Sequence, residues 1–243
     1  MNVNRSQTVL RRVLIAAVAA VSVCSAQQVR PDPLETKLID VPDDLNQWPL
    51  ASALGKIGAL AQGLVLFGAE IPLDHGNQPL VSAHIPAAVT VREALKIIFE
   101  KLPGYTFSSV SPHLITILPE GYAADPGDML NLPLQSVEIV NISPATILSD
   151  PERFIPALHA ALFKDQNCGM RISVSANAPG ITVTAHGTTL LGVLNLVSME
   201  SAAAAREHRG SAWGWVYLRE RVSTPSHEWR ANGGWVPGKR RSW

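Results

Sequence analysis

Seven histidines, two cysteines and twenty carboxylates are the side chains in this 243-residue chain that could carry metal or nucleophilic chemistry. The histidines are His75, His84, His113, His159, His186, His208 and His227. No two stand at His-x3-His or His-Glu-x-x-His spacing, which would put two ligands on one helix face for zinc, so no metal site is expected. His84 and His186 sit near the ends of two strand-like runs. A paired site would use them, but solvent-facing strand positions explain them more simply. Asp74-His75 reads as turn chemistry, and Asp43-Asp44, Asp150 and Glu152 as turn or helix-capping chemistry. A catalytic Cys168 would need an organised base, and the sequence offers no recognisable one; a small residue near a strand start is the better reading. No Gly-x-Ser-x-Gly, Walker loop or dinucleotide fingerprint occurs. Gly55 and Gly58 lie inside a helical pattern and suggest close packing. The expectation is a non-enzyme: no catalytic, cofactor-binding or metal-binding residues, and no cofactor.

Twenty basic residues balance twenty acidic ones, but unevenly along the chain. Residues 1–26 carry Arg5, Arg11 and Arg12 and no acid. Residues 27–218 hold 11 basic and 18 acidic residues, a net charge of −7. Residues 219–243 hold six basic and two acidic residues, a net charge of +4. With 47% hydrophobic and 16% charged residues the chain can build a core, as one large domain or two small ones. The acidic body disfavours nucleic acid as a partner. Lys239, Arg240 and Arg241, with Trp235 and Trp243, could make weak contact with an anionic membrane surface. The favoured reading of 219–243 is a flexible, solvated tail.

Residues 1–26 read as a secretory signal peptide. Arg5, Arg11 and Arg12 form the positive region, and Val13 to Val23 is an apolar run about half the ~20 residues a spanning helix needs. Cys24-Ser25-Ala26 suits cleavage before Gln27. Val23 is a poor residue to precede a lipidated Cys24. Loss of Cys24 leaves Cys168 alone, so an intramolecular disulfide is excluded and an intermolecular one stays open.

A linker at 27–37 precedes two blocks. In 38–118, the spacing predicts a strand at Leu38-Ile39-Asp40-Val41, a helix from Pro49 through Leu64, strands at Val65-Leu66-Phe67 and Leu80 to Ile85, and a helix with a Thr90/Glu93 capping box. Pro103-Gly104 stops that helix, and strands Tyr105 to Val110 and Leu114 to Leu118 follow. Residues 119–133, rich in proline and glycine, read as a linker. In 134–218, strands are expected at Val137 to Ile142, Arg171 to Ser175, Ile181 to Ala185 and Trp213 to Leu218. Helices are expected at Pro151 to Phe163 and after Thr188 or Thr189. Thr90 to Leu95 aligns with Thr189 to Leu194, so the blocks read as a structural duplication. The fold class is α+β: two small βαββαβ-type domains in tandem, each with two helices on a small mixed sheet, plus a disordered C-terminal tail.

The first block, through Leu50-Ala51-Ser52-Ala53-Leu54, Leu60-Ala61, Val65-Leu66-Phe67, Leu80 to Ile85, Thr90 to Leu95 and Leu114 to Leu118, resembles the secretin/TonB short N-terminal (STN) domain. The second block, through Glu138 to Ala145, Arg171 to Ser175 and Gly180 to Gly187, is similar to the domain that follows it in secretins, or to a second copy of the first. The resemblance implies a periplasmic location at the cell outer membrane and a non-catalytic role in protein–protein contact. The partner would be an envelope secretion, transport or signalling assembly, or a second copy of the chain. Nothing after Leu218 could build a β-barrel pore. The alternative is a periplasmic small-ligand or cell-wall binding protein that uses the cleft between domains.

Overall fold

Thr90 begins a helix through a reciprocal cap. Its hydroxyl accepts from the Glu93 N–H, and the Glu93 carboxylate accepts from the Thr90 N–H at 2.7 Å. The helix, α2 (Val91–Lys101), then buries Val91, Ala94, Leu95, Ile98 and Phe99 along one stripe. A computed structural model describes residues 32–39, 43–74, 76–125, 127–164, 179–208, 212, 214–221 and 229–231. The expected signal peptide 1–26 with Cys24, the strand at Arg171–Ser175, Cys168, and Trp235 to Trp243 lie outside the described residues.

Ahead of α2 come β1 (Asp43–Pro49), α1 (Leu50–Leu60), β2 (Leu66–Leu73) and β3 (Leu80–Ile85). After it come β4 (Tyr105–Ser111), β5 (Leu114–Pro119), β6 (Pro133–Ile142), α3 (Pro144–Ser149), α4 (Pro151–Phe154) and α5 (Pro156–Lys164). The last are β7 (Ile181–Thr189), α6 (Leu190–His208), β8 (Trp215–Arg221) and β9 (Trp229–Ala231). The fold is mixed α+β, with six α-helices and three small sheets among the described residues. No helix among them is long and apolar enough to cross a membrane.

Five strands form one sheet in the order β4-β5-β2-β8-β9, and β1-β3 and β6-β7 form two-stranded sheets. Strand β2 is central. It runs parallel to β5, with Phe67 opposite Ile115, and parallel to β8, with Gly68 opposite Trp215. Because β8 comes from the second sequence block and β2 from the first, the expectation of two tandem domains with a sheet each is corrected. The cause is that β2 is buried on both faces and so needs a partner at each edge and cover on each side. Phe67, Ala69 and Ile71 share a core with α1, α2, Val81 and Ile85. Trp215 and Tyr217 of β8 belong to a second core with β6, β7 and α6.

Trp215 is fully buried, and a Cβ on Gly68 would lie 2.4 Å from its ring, so only glycine leaves room there. The Trp215 Nε1–H donates to Asn195 of α6 at 3.1 Å. One residue thereby ties the second block's helix to the first block's central strand.

Other expectations are also corrected. Of the strand expected at Leu38 to Val41, Leu38 and Ile39 bond through their backbones to Val89 and Leu60, and Asp40 and Val41 lie outside the described residues; the first regular strand is Asp43–Pro49, bulged between Leu45 and Trp48, where Gln47 has φ +55°. The single helix expected over Pro151 to Phe163 is two, α4 and α5, because Pro156 has no N–H to continue the first. The 119–133 segment is no bare linker: it forms 3-10 helices at Tyr122–Ala124 and Met129–Asn131 and buries Asp128 and Leu130. The tail expected from Arg219 does not start there, since Arg219–Arg221 belong to β8 and Trp229–Ala231 pair with them as β9. Thr189 accepts from the Gly192 N–H at 3.3 Å at the start of α6, the counterpart of Thr90 at α2.

Candidate functional site

Glu70 stands in a strand that is otherwise apolar, and its alternation points it to the same face as Gly68. Two residues beyond Tyr217 on the neighbouring strand, Arg219 faces it. Both are almost wholly buried, Glu70 at 0% and Arg219 at 4% exposure. Asp128, 2% exposed, is held by the 3-10 turn it caps, where its Oδ1 accepts from the Leu130 N–H at 2.8 Å. The Arg219 guanidinium donates to Asp128, to Asp125 at 2.5 Å and to Glu70 Oε1 at 3.2 Å. Glu70 Oε2 is buried with no hydrogen-bond partner among the described residues. Three carboxylates from two distant segments thus converge on one cation.

Burial, then the Asp128 charge, pushes the Glu70 carboxyl up to about 8 against the opposing pull of Arg219. Burial works against the charge on Arg219, but Asp125, Asp128 and Glu70 together hold it above the ordinary guanidinium value. The Arg219 hydrogen bond holds Asp125 below the usual carboxylate range. Burial raises the Tyr105 phenol to about 12, with a further push from Glu70.

On the opposite face of the β2–β8 pair lies an apolar groove of about 600 Å³. One wall is α1, where Ala51, Gly55 and Ala59 recur every fourth residue; the other is β8, with Val216 and Leu218. Ser52 and Gln78 are its polar side chains. Gln78 also accepts from the Ala51 N–H at 3.0 Å, satisfying a donor that Pro49, the N-cap, leaves free. A Cβ on Gly55 would meet nothing within 4 Å, whereas one on Gly58 would lie 3.3 Å from the Val65 carbonyl. The close-packing reading therefore fits Gly58, while Gly55 opens the groove.

The residues weighed from sequence stay apart. His84 on β3 lies 2.7 Å from Asp44, its cross-strand neighbour, and both are exposed; His186 is on β7 opposite Ser136. Asp43 pairs with Lys56 at 2.8 Å within β1 and α1 instead of sitting in a turn. His113 bonds the Leu64 carbonyl at 3.1 Å and contacts Arg206. His159 lies 3.9 Å from Glu152. No cluster of three metal-ligating groups occurs among the described residues. Sequence reasoning missed Glu70, Asp125, Asp128 and Arg219. The available signal was Glu70 itself, the one charge within the Val65 to Leu73 run. No family model, curated protein or solved structure matches this chain.

Proposed function

We propose that the chain is an exported, periplasmic, non-catalytic protein–protein interaction module, similar to the periplasmic region of secretins, that docks on an envelope assembly. The observation that carries this reading is the groove: an apolar surface walled by α1 from the first block and β8 from the second. The β-α-β-β-α-β-β order over 43–119, the order expected of an STN-like unit, supports it. The edge strand β4, with its alternating exposure, offers a further pairing surface.

Crosslinking in intact cells, followed by identification of the captured protein, tests the reading. Gly55→Trp, whose Cβ enters open space, should fill the groove against Val216 and Leu218 and abolish the capture. Capture that is undiminished by Gly55→Trp would remove the groove from the account, and recovery of the monomer alone would remove the docking role. The groove's volume also suits a drug-sized apolar ligand, a second reading. A ligand-dependent rise in melting temperature in wild type but not in Gly55→Trp would favour it.

A further inference from the structure

Among the described residues the Arg219 guanidinium meets three carboxylates, and a single positive charge cannot neutralise them. Asp125 sits at the rim, with 35% of its side chain exposed, and water shares its charge. Asp128 and Glu70 have no such relief. Of the three acids, Glu70 has the longest contact with Arg219 and a second oxygen that is buried without a hydrogen-bond partner. If it carries charge, two buried carboxylates face each other across a single cation; if it carries a proton, the excess is gone. The charged and titratable groups that act on Glu70 are Arg219 from β8, Asp128 from the 3-10 segment and the Tyr105 phenol of β4, while Asp125 reaches the cluster through Arg219.

These groups belong to segments far apart in the chain. Glu70 and Arg219 are separated by 149 residues, and Arg219 and Asp128 by 91. The charge state of the cluster therefore acts on how firmly β8 and the 3-10 segment are held to β2. The N-terminal half of β8 has a side-chain anchor in Trp215 against Gly68 and Asn195; the C-terminal half, from Leu218, pairs with Ile71 to Leu73 of β2 and with β9, and its buried side-chain anchor is Arg219.

We propose that Glu70, Asp128 and Arg219 form a proton-operated latch: a proton held on Glu70 keeps the C-terminal half of β8 and the Asp125–Asn131 turn docked on β2, and its loss releases them. The device is independent of which partner or ligand the groove takes. Opening returns Glu70 to water, where its ordinary value is 4.5, against about 8 when docked. Between those limits the opening equilibrium should rise by up to about tenfold per pH unit, and it should flatten above about pH 8.

Amide hydrogen exchange on the full chain tests this, read as the ratio of the observed rate at Leu218 to Arg221 to the rate of an unstructured peptide of the same sequence at each pH, so that intrinsic pH dependence cancels. In wild type the ratio should climb from pH 5 to 8. In Glu70→Gln, which keeps the shape and cannot ionise, it should be independent of pH and lie at or below the wild-type pH 5 value. A pH-independent wild-type ratio, or an unaltered climb in Glu70→Gln, would overturn the latch. Should Glu70→Gln not fold, Asp128→Asn, which preserves the cap on Leu130, should move the midpoint to lower pH. An unmoved midpoint would overturn the proposal equally.

Discussion

Asp125 and Glu70 touch the same guanidinium and titrate in opposite directions. Glu70 is raised to about 8 in the folded state, so between 4.5 and 8 the unfolded chain has released a proton that the folded chain keeps. Its contribution is full below about pH 4.5 and is lost as pH rises to 8. Asp125 is lowered from 3.8, so its contribution is present above that value and is lost as pH falls through its lower folded value. Urea midpoints should accordingly fall from pH 5 to 8 and fall again at strongly acid pH. Asp125→Asn should remove part of the acid limb and, being partly exposed, cost only about 0–1 kcal/mol at neutral pH. A midpoint that rises from pH 5 to 8 would contradict the assignment of Glu70. At this scale the sequence was partly legible: a lone carboxylate in an apolar run marks a buried charge, but its partner stands 149 residues away and reads as the first charge of a basic end.

Among the elements, those set by local chemistry were readable and those set by distant contacts were not. The Thr90/Glu93 cap and the stripe through Leu95 and Ile98 make α2 without help from the rest of the chain. Leu95 is fully buried, so Leu95→Asp should abolish cooperative unfolding, and a retained melting transition would refute the packing of α2. Strand β1 was not readable, because Asp43, Asp44 and Asn46 are poor strand formers that pair only because β3 lies alongside. Nor was the fit of Gly68 under Trp215, which depends on the register of two parallel strands. Gly68→Ala should cost about 1–3 kcal/mol by overpacking, read as a lowered urea midpoint. Gly55→Ala, in open space on a helix, should instead raise the midpoint by about 0.5–1 kcal/mol.

For the whole molecule, the threonine caps that start α2 and α6 are legible, but the sheet the two blocks share is not, because parallel pairing of β2 with β8 leaves no mark in either local sequence. The charge pattern reads as an acidic body with a flexible, solvated basic tail from residue 219. The buried Arg219 reverses that: its charge belongs to the core of the body, where it offsets Asp125 and Asp128 beside Glu70. The central claim is that Arg219 joins the second block to the first. Its most direct test is the urea unfolding midpoint of Arg219→Met, which keeps the aliphatic bulk and strands the buried Asp128 carboxylate beside Glu70. The account predicts a loss of about 3–5 kcal/mol at pH 7, and a midpoint equal to that of wild type would contradict it.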